Sequence, residues 1–264
     1  MSRRRKGRPI HGWVNLDKPA NCSSARAVAK VRFLLDAAKA GHAGTLDPLA
    51  TGVLPIALGE ATKTVSFLQT AEKTYTFSVR WGEERDTGDM DGKVTAANDL
   101  RPSVEAVRAM CGAMTGEVEQ VPPVYAAVKV GGRRAYDIVR SGGAVTLAPR
   151  RVWIKSLICT ETPDRDSARF IAVCGKGTYI RSLARDLAHR LGVLGTVAKL
   201  RRERVGHLRA EGAISLENLE EVVHSPAPYG ALLPVETALA DIPALPLTGF
   251  EAQRLRQGQM VPVT

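Results

Sequence analysis

The chain is poor in cysteine, histidine and aromatic residues, and it contains no long apolar run. Only four cysteines occur in 264 residues (Cys22, Cys111, Cys159 and Cys174), far apart and without a C-x-x-C pair. This spacing argues against a disulfide framework or a zinc knuckle and for reduced, mostly buried thiols of a cytoplasmic protein. The five histidines (His11, His42, His189, His207 and His224) are scattered with no H-x-x-x-H pair, so no metal site is expected. No G-x-G-x-x-G follows a strand pattern, and Gly175-Lys176-Gly177 lacks the spacing of a P-loop, so no flavin, nicotinamide or other cofactor is expected. Nothing approaches about 18 consecutive apolar residues, so no bilayer-spanning helix is expected. The N-terminal Arg3-Arg4-Arg5-Lys6 leads into polar and glycine-containing sequence rather than the apolar core of a secretory signal.

What is present is a hydrophobic content of 44%, enough for a sizeable core in one large or two smaller domains. The formal charge of +10 points to an anionic partner, either nucleic acid or a membrane surface. Five of the first eight side chains are basic, and residues 1–9 read as an arm that is a solvated tail, a set of phosphate contacts, or both.

The stretch Gly41-His42-Ala43-Gly44-Thr45-Leu46-Asp47-Pro48-Leu49-Ala50-Thr51-Gly52-Val53-Leu54 sets one carboxylate in an apolar frame punctuated by three glycines. Pro48 disfavours helix at Asp47, and Gly44 and Gly52 permit turns on either side, so a shaped loop holds this acid. By spacing alone, an Asx turn in which Asp47 bonds its own backbone is the simpler reading.

Periodicity places the other elements. Ile10 to Leu16 alternates as a strand ending at Asp17-Lys18-Pro19, and Ser23 or Ser24 caps a helix running to Ala40, where Gly41 stops it. Val53 to Leu58 reads as a buried strand, Glu60 to Thr70 as a weakly amphipathic helix, and Lys73 to Trp81 as a strand with Tyr75, Phe77, Val79 and Trp81 on one face. Asp86-Thr87-Gly88 continues into a turn and has no second copy, which argues against an aspartic protease. Ser103 caps a helix through Met114. Val121 to Val130 enters a strand closed by Gly131-Gly132, and Arg134 to Arg140 forms a short arginine-rich helix. Arg151 to Thr160 and Ser167 to Cys174 pair as antiparallel strands. Tyr179, Leu183, Leu187 and Leu191 make a helical stripe, with Arg181 near its N-terminus, where the helix dipole disfavours a cation and calls for a nearby anion. Val197 to Val205 is a basic strand whose Lys199, Arg201, Arg202 and Arg204, with Arg209, suit phosphate contacts. Ser215 opens a short helix, the prolines from Ser225 to Pro246 mark a linker, and Phe250 to Gln257 is a helix leading to an edge strand at Met260 to Val263.

The Asp47 stretch matches G-H-x-G-x-L-D-P-x-A-x-G at every position and in this resembles the catalytic-aspartate motif of the pseudouridine synthases, specifically the TruB family, the bacterial tRNA pseudouridine synthase B branch. Five further blocks follow the family's order: Leu16-Asp17-Lys18-Pro19, Lys73-Thr74-Tyr75, Val121-Pro122-Pro123 with Lys129, Lys176-Gly177-Thr178-Tyr179-Ile180-Arg181, and Leu200-Arg201-Arg202. Ala126 stands where the family usually has serine.

The resemblance implies a mixed α/β fold of α+β type, a largely antiparallel sheet flanked by helices with a central basic cleft. It implies a catalytic domain over 10–245 and, over 246–264, the start of a small C-terminal PUA-like RNA-binding domain, so that the sequence reads as truncated or its last segment packs on the catalytic domain instead. The implied function is cofactor-free isomerisation of uridine 55 in the tRNA T-loop to pseudouridine, by a cytoplasmic monomer with no obligatory protein partner. By the same resemblance Asp47 is the catalytic carboxylate, acting as nucleophile at C1′ or as base at C2′, and Arg181 pairs with it. Tyr75 stacks on the flipped base and handles a proton in the later step. Tyr179 and Leu200 line the pocket, His42 faces the space left by the base, and Lys18 and Lys129 are supports or phosphate contacts. Two other readings stay open: a non-catalytic RNA-binding or RNA-folding protein, and an isomerase acting on another RNA.

Overall fold

A computed structural model describes residues 7–262. The first strand, β1 (Gly12–Lys18), leads through the Ser23 cap, whose hydroxyl accepts from the Arg26 amide, into α1 (Ser24–Leu34). This helix stops short of the expected Ala40, because Asp36 takes a left-handed backbone (φ 50°) and turns the chain away. Ala40–His42 instead forms β2, which pairs with β3 (Thr51–Leu58), so the Asp47 loop is the connection of a hairpin. The expected helix over 60–70 is divided at Thr64 into a 3-10 turn (Gly59–Lys63) and α2 (Val65–Thr70).

β4 (Lys73–Trp81) alternates buried and open residues as its sequence demands, with Tyr75, Phe77, Val79 and Trp81 inward. A small hairpin, β5 (Glu83–Arg85) with β6 (Val94–Ala97), precedes α3 (Val104–Ala113), which Ser103 caps. The strand expected over 121–130 is largely absent. Pro122 and Pro123 have no amide to give a ladder, and the chain pairs before them as β7 (Gly116–Gln120) and after them only as the hairpin β8 (Lys129–Val130) and β9 (Arg133–Arg134), turned by Gly131-Gly132. Then come α4 (Ala135–Arg140), β10 (Arg150–Asp164), β11 (Ser167–Cys174), α5 (Ile180–Arg190), β12 (Gly195–Val205), β13 (Leu208–Arg209), α6 (Leu216–Val223) and α7 (Gly249–Arg256).

The main sheet runs β1-β3-β12-β4-β11-β10-β7, antiparallel throughout except where β3 and β12 lie parallel. Its register brings one row of residues into line across five strands: Lys18, Gly52, Arg202, Tyr75 and Ala172. Gly52 makes the parallel contact possible. It has φ 100°, and a Cβ there would sit 2.2 Å from the Arg202 carbonyl oxygen. Helices α1, α3 and α5 cover one face, burying Val31, Val107, Leu183 and Leu187 with Phe77 and Phe170, whose rings stack at 5.1 Å.

The proline-rich stretch 225–246 is only partly a linker. Leu233 and Trp13 exchange backbone hydrogen bonds of 2.8 Å in both directions, and Leu233, Val235 and Ala238 pack against a second cluster containing Trp13, Val53 and Leu68. Of the expected basic arm, residues 1–6 lie outside the described residues, while Arg8 is docked, its amide donating to the Asp36 carbonyl at 2.6 Å. Met260 to Pro262 form no strand, and Val263 lies outside the described residues. Among the described residues no helix is long and apolar enough to cross a membrane.

Candidate active site

Asp47 and Arg181 are 134 residues apart in the chain, the first on the β2–β3 loop and the second in the first turn of α5. Arg181 Nε donates to Asp47 Oδ2 at 2.8 Å and Nη2 to Oδ1 at 2.9 Å, a planar two-pronged contact. Its remaining donors reach the Thr87 carbonyl (2.6 Å) and the Tyr125 carbonyl (2.9 Å), and Asp89 Oδ2 lies 3.8 Å from Nε. The anion that the helix dipole calls for at Arg181 is therefore Asp47. The arginine side chain is 3% exposed and that of Asp47 29%, so the pair opens to solvent only through the carboxylate.

The loop that carries Asp47 is fixed from behind. The Ser24 hydroxyl accepts from the Leu46 amide and donates to the Leu46 carbonyl, each at 2.8 Å. Lys18 is fully buried and donates to the carbonyls of Pro19 (2.8 Å), Cys22 (2.7 Å) and Pro48 (3.3 Å). Burial pushes its ammonium down to about 8. Of the two roles expected of Lys18, support fits this position and a phosphate contact does not, since the side chain presents no surface.

A cavity of about 340 Å³ opens beside Asp47, lined by Tyr75, Tyr179, Leu200, Lys73 and Arg202 among others. Burial pushes the Tyr75 hydroxyl up from its ordinary range, and the neighbouring Arg202 guanidinium partly counters this. Tyr179 is oriented by its amide, which donates to Gln120 Oε1 at 2.7 Å, and by the Arg150 guanidinium 4.7 Å over its ring. A second cavity shares Asp47 with the first and is walled by Arg181, His42, Arg134, Tyr136 and Arg140. His42 is pushed down by burial and by the charges of Arg202 and Arg134, which holds the imidazole neutral. Of the residues singled out in the sequence, Asp47, Arg181, Tyr75, Tyr179, Leu200 and His42 thus gather round these two cavities. Lys129 does not line them; it is exposed on the β8–β9 hairpin.

Arg202 departs from its expected place on a phosphate-facing strand. It is 1% exposed, and it donates to the carbonyls of Val53 (2.7 Å) and Gly44 (3.0 Å), tying β3 to the Asp47 loop. The signal was in the strand period: Arg202 is two residues from Leu200 and so shares its inward face. Arg201, facing the other way, is matched by Asp17 at 2.9 and 3.0 Å. Lys73, Ser24, Thr87 and Asp89 carried no comparable signal, because each matters through a partner remote in sequence.

A larger cavity of about 660 Å³ lies on the open side of the sheet, beyond Thr76 and Ser78. Its carboxylate, Glu161, is paired with Arg169, so it offers no free acid beside a bound ligand.

Comparison with known proteins places the chain in a family. The model for the TruB family pseudouridylate synthase (N terminal domain) matches residues 32–180, and that for the tRNA pseudouridylate synthase B C-terminal domain matches 181–240. The chain belongs to the TruB family. This TruB family chain is 54% identical over 261 residues to tRNA pseudouridine synthase B of Rhodospirillum rubrum, a match covering 99% of this chain and 85% of the relative. To the protein of the same name from Bradyrhizobium diazoefficiens it is 53% identical, covering 98% of this chain and 76% of the relative. Among solved structures it is similar to a chain of a Cbf5-Nop10-Gar1 complex, with TM-score 0.68 and 28% identity, covering 86% of this chain and 61% of that one. It is also similar to a chain of an H/ACA RNP bound to a substrate RNA containing 2′-deoxyuridine, with TM-score 0.65 and 27% identity, covering 90% of this chain and 67% of that one.

Proposed function

We propose that this chain isomerises a uridine of the tRNA T-loop, position 55, to pseudouridine, with Asp47 as the catalytic carboxylate. The observation that carries this reading is the two-pronged Arg181 contact, which fixes both oxygens of the one carboxylate on the cavity wall. The reaction breaks the bond from C1′ to N1, turns the base and rejoins it through C5, with no redox step. Asp47 either attacks C1′ or removes the C2′ proton; both routes need an ionised acid beside the ribose.

The target base leaves its stack at a cost of a few kcal/mol and enters the Asp47 cavity. There Tyr75 stacks on it and handles a proton in the later step, while Tyr179 and Leu200 form the walls. His42, neutral and half-buried in the adjoining cavity, fills the space the base vacates. Arg134, Arg140, Lys176 and the exposed Lys129 meet the phosphates. Residues 10–245 form the catalytic unit and 246–264 belong to a separate PUA-like RNA-binding unit. In support, Phe250, Leu255 and Met260 stay exposed instead of joining the core. The enzyme works in the cytoplasm as a monomer without a required protein partner, in keeping with a cavity built from one chain.

The test is tritium release from tRNA labelled at uridine C5, followed by mapping of the product nucleotide. Stoichiometric release with the product in the T-loop is expected. Tight tRNA binding without release would overturn the enzymatic reading in favour of an RNA-folding protein, and release from another site would overturn the substrate assignment.

A further inference from the structure

The Asp47 cavity has a charge distribution that the roles above leave unused. Among its lining residues Asp47 is the one carboxylate, whereas Lys73, Lys176 and Arg202 are cations. Lys73 and Arg202 are buried, at 6% and 1% exposure. Lys73 donates to the carbonyls of Gln69 (2.8 Å) and Ala71 (2.6 Å), and Arg202 to those of Val53, Gly44 and, at 3.5 Å, Thr45. The two side chains converge on one patch of wall: a methyl group on Gly44 would lie 3.4 Å from Arg202 Nη1 and 3.8 Å from Lys73 Cε. Two cations buried side by side with no carboxylate bonded to either, held by carbonyl oxygens and, for Arg202, by the Tyr75 hydroxyl, are costly to maintain, because each raises the cost of charging the other. An ammonium has three N–H groups and a guanidinium five, so the carbonyl contacts leave donors over in both.

Negative charge develops in this cavity when the glycosidic bond breaks. The C1′–N1 electron pair leaves with the base, giving a uracil anion whose charge is shared between N1, O2 and O4. C1′ is taken up by the Asp47 carboxylate, or C2′ gives its proton to it. After the base turns, C5 bonds to C1′ as the Asp47–C1′ bond breaks or as Asp47 returns the proton to C2′, and the proton lost from C5 balances the one gained at N1. We propose that Lys73 and Arg202 form the wall that stabilises the departing uracil anion, a fixed positive field placed where the charge appears. This rests on the reading that the uridine occupies the Asp47 cavity. Lys73 is pushed by burial down to about 8, with Arg202 and Lys176 lowering it further and Cys174 opposing them, so it is still charged at neutral pH.

The competing account is structural, since Lys73 also caps the last carbonyls of α2 and Arg202 also ties down the Asp47 loop. Leaving-group chemistry separates the two. Fluorine at C5 makes the uracil anion more stable, so a 5-fluorouridine substrate depends less on help from the wall. Single-turnover consumption of the target nucleotide is measured with full tRNA carrying uridine or 5-fluorouridine, for the parent, Lys73→Met, Lys73→Arg and Arg202→Met. Lys73→Met is expected to slow uridine cleavage by tenfold or more and 5-fluorouridine cleavage at least fivefold less, with Lys73→Arg recovering most of the rate. Equal slowing of both substrates by Lys73→Met, at the parent's melting temperature, would leave only the capping role and overturn the proposal. Should Arg202→Met fail to fold, the Lys73 pair decides alone. A parent protein inactive on uridine would instead overturn the underlying assignment of function.

Discussion

Arg181 holds both oxygens of Asp47 while being itself almost wholly buried, so the arginine is a fixed template and the carboxylate its exposed edge. Replacing the carboxylate with the isosteric amide keeps the shape and removes the charge. Asp47→Asn is expected to reduce tritium release to background with tRNA affinity changed less than about threefold. Activity within tenfold of the parent, about 1.4 kcal/mol of barrier, would contradict the assignment.

Arg181→Lys keeps a positive charge but cannot reach two carboxylate oxygens and two carbonyls in one plane. Turnover is expected to fall by about a hundredfold, roughly 2.7 kcal/mol, with a much smaller change in tRNA affinity. Stopped turnover assays alongside equilibrium binding check this. An equal loss in both would mean that Arg181 serves mainly to bind RNA.

The fold and the site were legible to different degrees. Strand β4 and helices α3 and α5 follow from alternation, caps and stripes that are local, and the dipole argument at Arg181 foretold its anion. At Arg202 two local signals conflict: its charge points to the surface, whereas the strand period shared with Leu200 points inward, and packing follows the period. The break in the 121–130 strand and the early end of α1 depend on pairing: β2 forms because β3 offers it a free edge, and β7 forms because β10 does. No window of sequence contains that information.

Gly52→Ala tests the close approach of β3 to β12. The left-handed backbone and a Cβ 2.2 Å from the Arg202 carbonyl oxygen leave no room, and the obstacle is backbone. Destabilisation of about 3 kcal/mol or more is expected in urea unfolding. A loss under about 1 kcal/mol would show that the two strands can part locally.

Buried Lys18 makes stability depend on pH in a defined direction. Its folded value of about 8 lies below the ordinary 10.5, mainly through burial, with Cys22 and Asp47 opposing and Arg202 adding to the shift. Between these values the unfolded chain binds more protons than the folded one, so the free energy of unfolding rises with pH there. Below about pH 8 the cost of the buried charge is present in full. Lys18→Met is expected to flatten this part of the stability curve, and an unchanged slope would mean that another group carries it.

RNA affinity should distinguish free cations from matched ones. Arg134 and Arg140 rest 5.8 Å from the Tyr136 ring, whereas Arg151 is paired with Glu117 at 2.9 Å. Arg134→Ala and Arg140→Ala are each expected to flatten the dependence of log affinity on log salt by about one phosphate contact, and Arg151→Ala to leave it unchanged. The reverse order would place the RNA on the open side of the sheet.

The row from Lys18 through Gly52, Arg202 and Tyr75 to Ala172 also ties activity to the order of folding. Arg202 and its acceptor Val53 are 149 residues apart in the chain, and the β3–β12 contact that builds the cavity is the pairing of greatest sequence separation among the ladders of the main sheet. A slip of one residue there would turn Arg202 and Leu200 to the opposite face. A chain with its helices formed and β3 still apart from β12 therefore holds every residue of the proposed site without the cavity they line, so during refolding turnover should be the last signal to return.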